Sequence, residues 1–170
     1  MHHSARKIVE GAFYHVIITI NGKEMRLEPE PAKRLLSSYI IRGKKKYRFQ
    51  IQNYCIMGSH AHLLIKPGKG GPLSSIMRWI EGCFAQKLNK LDHRCGHVFN
   101  DRYWSRPVNG MADVIRTFMY IDNNPVKAGL VDQPEDWEFG GLWHHKRRWK
   151  RLVDPLDPLI ALFCPYHLPN

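Results

Sequence analysis

Apolar and polar positions follow two different periods along this chain, and each change of period marks an element. Phe13 to Ile20, FYHVIITI, is β-branched and aromatic and predicts a strand, with Asn21-Gly22 as the turn that ends it. Leu35, Leu36 and Ile40 share one side of a short helix predicted over Pro31 to Ile41. Gly43 and the run Lys44-Lys45-Lys46 then predict a solvated loop. Tyr47 to Met57 alternates with period two, Gly58-Ser59 interrupts it, and His60 to Lys66 resumes it, so this stretch reads as a hairpin. Past a glycine-rich break at Pro67 to Pro72, Leu73, Ile76, Met77, Ile80, Phe84, Leu88 and Leu91 recur at steps of three and four. That spacing predicts an amphipathic helix of about five turns. Phe99, Tyr103, Trp104 and Val108 place a fourth strand within Val98 to Val108. Ala112 to Asn123 predicts a last helix, stopped by Pro125.

The order β-α-β-β-α-β-α puts the chain in the α+β class. It matches a ferredoxin-like sandwich, an antiparallel sheet layered with helices, with a C-terminal helix added. A length of 170 residues suits one domain, expected over residues 1–142, with residues 143–170 as a basic tail rich in Trp and Pro. Lys and Arg number 26 against 15 Asp and Glu, and the resulting +11 favours a polyanionic partner, nucleic acid above all. The charge is uneven: Pro31 to Ile80 holds ten Lys or Arg and no acidic residue. No apolar run approaches the ~20 residues of a membrane span, and MHHSARKIVEG lacks the apolar core of a signal peptide. Cys55, Cys83, Cys95 and Cys164 form no C-x-x-C pair, so a reducing cytoplasm is the expected compartment.

Two features carry candidate chemistry. His60 and His62 stand two apart on a predicted strand, so both imidazoles point to one face. Neutral imidazole is a common ligand for catalytic metals; two polar residues bonding water at a strand start fit the same spacing. His93 and His97 lack a partner pair at zinc spacing and read as loop. On the last helix, Asp113, Arg116, Thr117, Asn123 and Asn124 fall within about 60° of Tyr120, taking about 100° per residue. Met111, Val114, Ile115, Phe118, Met119 and Ile121 form the apolar side, so Tyr120 is not placed for core packing. Asn124, one turn on, carries an amide oxygen of the kind that binds hard metals; Asn123-Asn124-Pro125 can equally just end the helix. Asp122 falls on the apolar side, at a predicted fraying last turn.

Four segments occur in order: Phe13 to Val16, Tyr54 to Leu64, Gly96 to Tyr103, and Tyr120 to Val131. Together they resemble the single-tyrosine transposases of the HUH class, over about residues 8–142. The last segment is most similar to the branch called REP-associated tyrosine transposases. The resemblance implies a catalytic domain that cuts and rejoins single-stranded DNA, with Tyr120 as nucleophile and His60, His62 and Asn124 as ligands of Mg2+ or Mn2+. It implies transfer through a 5′-phosphotyrosine without a nucleotide cofactor, on hairpin-forming repeat DNA, by a monomer or homodimer in the bacterial cytoplasm, associated with the nucleoid. Family members usually carry Pro-Asn before the first histidine, where this chain has Gly58-Ser59.

Two basic tracts mix cations with aromatics: Lys44, Lys45, Lys46 and Arg48 around Tyr47, and Lys146, Arg147, Arg148, Lys150 and Arg151 around Trp149. With Arg116 on the polar stripe, they suit phosphate contacts plus stacking of unpaired bases; a solvated charge run has the same composition. Rival functions are a domesticated DNA-hairpin-binding protein that no longer cuts, an RNA-binding module, and a metal-dependent nuclease that uses water in place of Tyr120.

Overall fold

The computed structural model describes residues 11–69, 71–164 and 166. Strands β1 (Phe13–Thr19), β2 (Phe49–Ile56), β3 (His60–Pro67) and β4 (Trp104–Val108) form one antiparallel sheet in the order β2-β3-β1-β4. Helices α1 (Glu30–Tyr47) and α2 (Leu73–Leu91) connect them, and α3 (Gly110–Asp122) follows the last strand. This is the ferredoxin-like α+β sandwich expected from the pattern.

Strand alternation sorts the side chains into two cores. Tyr14, Val16 and Ile18 of β1 and Ala61, Leu63 and Ile65 of β3 meet Leu36, Ile40, Ile76, Ile80 and Phe84 of α1 and α2 in the larger one. On the other face, Cys55, Leu64 and Val108 pack under Val114, Phe118 and Ile121 of α3. The second face is therefore only partly covered, and its open remainder carries the histidines.

Three elements depart from the pattern's expectation. α1 continues through Lys44, Lys45 and Lys46 to Tyr47, because Gly43 lets the helix press against Ile80 of α2 and Lys44 reaches the Asp154 carboxylate at 2.7 Å. Cations in a last turn also suit the helix dipole, and Arg48 ends it at φ 49°. The fourth strand starts only at Trp104; upstream, Phe99 makes a single bridge to Ile20.

Beyond Leu142 the chain folds back on the sheet through α5 (Gly141–Lys146) and α6 (Pro158–Phe163), burying Leu152, Val153 and Ile160. A bulge at Gln52 anchors that return. The Gln52 side chain accepts from Asp157 N at 2.8 Å, and the Gln52 backbone carbonyl meets His145 Nε2 at 2.7 Å. The short α4 (Asn124–Lys127) extends α3 past a one-residue break at Asn123.

Candidate active site

The pleat brings His15 of β1 and His60 and His62 of β3 to the open face, where β1 and β3 run antiparallel with Ile17 opposite His62. The His60 and His62 rings lie 5.0 Å apart and nearly perpendicular, at 88°. Each has its Nδ1 engaged. Ser59 Oγ lies 3.2 Å from His60 Nδ1, and His15 Nε2 lies 3.0 Å from His62 Nδ1. Ser59 belongs to the three-residue link of the β2–β3 hairpin, closed by Met57 N donating to His60 O at 2.8 Å. The Gly58-Ser59 departure from the family's usual Pro-Asn thus still leaves a polar side chain on His60.

Burial sets the protonation of this cluster. Desolvation, with the His60 and His15 rings adding to it, drives His62 down to about 3. Desolvation and the nearby Arg106 guanidinium drive His15 down to about 4. Desolvation also lowers His60, with Lys23 contributing. Neutral imidazoles keep one nitrogen lone pair each, the form that binds metals. His62 Nε2 is buried and has no hydrogen-bond partner among the described residues.

α3 carries Tyr120 over this cluster. Its ring stands edge-on to His62 at 5.5 Å and to His15 at 5.8 Å, and it is 44% exposed, so a phosphate can reach it from solvent. The helix is held at both ends. At its start Arg106 of β4 grips Asp113 through both oxygens, at 2.7 and 3.1 Å, and donates to Thr117 Oγ1 at 3.0 Å. At its end Asn53 Nδ2 donates to Phe118 O at 3.1 Å and to Asp122 Oδ1 at 2.9 Å. Asp122 is thus buried rather than fraying. The bulge beside Asn53 places this side chain, and no sequence period shows it.

Asn124 lies one turn beyond Tyr120, its Nδ2 donating to Tyr120 O at 2.7 Å, which leaves Oδ1 for another partner. Among the described residues no group of three His, Cys, Asp or Glu could hold a metal ion. Two side chains not singled out from sequence also border the site. Lys127 holds its ammonium 5.3 Å from the Tyr120 ring centroid, and Trp104, 51% exposed, meets the His15 ring at 5.7 Å. Lys127 is seven residues past Tyr120, two turns along the same stripe, a relation hidden by ending the helix at Pro125. His15 is placed by strand register alone.

The basic residues divide by contact. Lys44 pairs with Asp154 and Lys146 with Glu135, whereas Lys45, Lys46, Arg48, Arg116, Arg147, Arg148, Lys150 and Arg151 are exposed. Lys46 lies over the Tyr47 and Trp79 rings. No described helix is long and apolar enough to cross a membrane.

Residues 8–124 match the family model described as Transposase IS200 like. The chain is 26% identical over 137 residues to the REP-associated tyrosine transposase of Escherichia coli strain K12, covering 79% of this chain and 78% of that one. A solved REP-associated tyrosine transposase bound to a REP hairpin superposes with a TM-score of 0.75 at 23% identity, covering 94% of this chain and 90% of that one. At that identity the superposition bears on the fold.

Proposed function

The chain belongs to the IS200-like transposase family, and from that premise we propose that it cuts and rejoins single-stranded DNA beside a hairpin, using Tyr120 as nucleophile. One observation carries the reading: a half-exposed tyrosine stands edge-on to a buried imidazole whose Nδ1 is engaged and whose Nε2 has no hydrogen-bond partner among the described residues. Core packing does not require that arrangement, and it suits a phenol attacking a phosphate held beside the imidazole.

The phenol of Tyr120 gives up its proton to solvent as its oxygen attacks phosphorus in line, the bond from phosphorus to the 3′ oxygen breaks, and that oxygen takes up a proton. The products are a 5′-phosphotyrosine and a free 3′-hydroxyl. The covalent link keeps the phosphodiester energy, so a second 3′-hydroxyl can reverse the step without a nucleotide cofactor. His60, His62 and Asn124 fit a hard divalent cation, Mg2+ or Mn2+, which when bound polarises the scissile phosphate and offsets its developing charge. His15 fixes the orientation and tautomer of His62: with the His62 proton on Nδ1 donated to His15, the Nε2 lone pair is free. Lys127 supplies positive charge beside the phenol as it ionises. Trp104 offers an exposed indole face to a flanking base.

The test is cleavage of single-stranded oligonucleotides taken from the DNA flanking the gene, hairpins included, with Mg2+ or Mn2+ and a chelator control. Metal-dependent cleavage at one position beside a hairpin supports the reading. Cleavage that persists in Tyr120→Phe points to water as nucleophile, and hairpin binding without cleavage points to a domesticated binder.

A further inference from the structure

A cleft of about 190 Å³ opens between α1 and the returning C-terminal segment, at the β2 edge of the sheet. Ser37, Ser38, Tyr54, His144, Trp149 and Arg151 line it. Tyr54 points into the α1–α2 core, while its neighbour Cys55 points to the α3 side. The cleft therefore lies on the sheet face opposite the histidine cluster, and the chemistry proposed above does not use it.

Its composition is that of a stacking site. The chain reverses at Arg148, φ 54°, so that Trp149 N donates to His144 O at 2.9 Å and the indole lies back on its own segment. There the Trp149 ring sits 5.5 Å from His144 and 5.7 Å from Trp143, and Arg147 caps the Trp143 face at 4.4 Å. Beneath them the Tyr54 hydroxyl, fully buried, bonds His144 Nε2 at 2.6 Å, which fixes that imidazole as a rigid wall. Trp149 nevertheless remains 44% exposed. Drug-sized ligands occupy pockets of roughly 300–1,000 Å³, so this cleft is sized for one flat ring system.

The charges around it select among flat ligands. Arg34 is committed to Glu30 and Glu138 at 2.6 and 2.8 Å, which neutralises the acidic side of the cleft. Arg148, Lys150 and Arg151 are exposed and form no ion pair among the described residues. An aromatic wall, the Ser37 hydroxyl on the opposite helix and the unpaired Arg151 in the lining, with Arg148 and Lys150 beside Trp149 and Arg151 in the chain, match a base with its flanking phosphates. Bases within a duplex present no free face, whereas an unpaired nucleotide does.

We propose that this cleft holds one unpaired base of the single strand adjoining the DNA hairpin, stacked on Trp149 with the neighbouring phosphates on Arg148 and Arg151. The assignment rests on the DNA-processing reading and adds an anchoring site remote from Tyr120.

The experiment measures fluorescence anisotropy of two labelled hairpins, one blunt and one with short single-stranded extensions, with wild type, Trp149→Ala, Trp149→Phe and Arg151→Ala. Trp149→Ala is expected to weaken binding of the extended hairpin by about 5- to 150-fold, the range for loss of one base–aromatic stack. Binding of the blunt hairpin stays unchanged, and Trp149→Phe recovers most of the loss. Arg151→Ala lowers the salt dependence for the extended hairpin by about 0.7 in log–log slope, the share of one single-strand phosphate. An equal fall on both hairpins, no fall on either, or a wild type that binds both alike overturns the assignment. Tyr120-linked adduct is read separately in wild type at saturating DNA: its absence there strikes at the chemistry and not at this cleft.

Discussion

The Nε2 atom of His15 lies 3.0 Å from Nδ1 of His62, both side chains almost fully buried, and this bond joins two adjacent strands directly beneath Tyr120. A ring held in this way presents its other nitrogen in one direction. Loss of such a supporting partner typically costs about 10- to 100-fold in metal affinity. His15→Leu is therefore expected to weaken Mn2+ binding by that amount in a calorimetric titration of the protein without DNA. His15→Gln, whose side-chain oxygen can accept from His62 Nδ1, is expected to recover most of it. Unchanged Mn2+ affinity in His15→Leu would remove the positioning role.

Lys127, with its ammonium 5.3 Å from the Tyr120 ring, is expected to act on rate rather than on binding. Its charge is solvent-exposed, so its effect on the ionising phenol is on the order of 1 kcal/mol. Lys127→Met should slow single-turnover cleavage by about fivefold to tenfold with hairpin affinity little changed. An equal loss in affinity and no loss in rate at saturation would reassign it to DNA binding.

Asp122 gives the fold a pH dependence that can be isolated. Burial raises its carboxyl to about 8, against the hydrogen bond from Asn53, which lowers it. Between about 4 and 8 the folded state holds a proton that the unfolded state has released, so this group's contribution to stability falls as pH rises through that window. Asp122→Asn removes the dependence and keeps an acceptor for Asn53. The stability difference, variant minus wild type, should grow from pH 4 to pH 8 in urea unfolding and then level off. A difference that is flat with pH would show that Asp122 ionises normally.

Gly141 starts α5 against β2, and a Cβ there would overlap Asn53 Oδ1 and crowd Tyr54 N. Asn53 Oδ1 accepts from Tyr54 N at 2.8 Å while its Nδ2 holds the end of α3. Gly141→Ala is thus expected to destabilise the protein by about 1–3 kcal/mol, the usual range for overpacking. It should also lower cleavage at temperatures where the protein stays folded, since the helix bearing Tyr120 loses its anchor. A variant as stable as wild type would mean that the segment shifts freely.

Periodicity was enough to order the strands and helices and to set Tyr120 against its apolar neighbours, because both depend on local geometry. Contacts between distant segments were not legible. Lys44 reads as part of a solvated run, yet its helix continues because Asp154, far along the chain, receives it. Asp122 reads as frayed because its partner Asn53 is placed by a bulge that no period announces. His15 belongs to an unbroken strand pattern, and only the pairing of β1 with β3 makes it a neighbour of His62. The segment after Leu142 reads as a polar tail because Leu152, Val153 and Ile160 are too sparse to form a periodic face, although each is buried.

The central claim, that Tyr120 becomes covalently joined to DNA, is tested most directly by mass spectrometry of the denatured reaction. Wild type is incubated with Mn2+ and a single-stranded hairpin substrate, digested with protease and nuclease, and searched for a nucleotide-bearing peptide. The expected result is a 5′-phosphate linkage on the Tyr120 peptide, dependent on added metal and lost in Tyr120→Phe and in His62→Ala. Cleaved DNA with no modified peptide, or the same linkage on another residue, would contradict it.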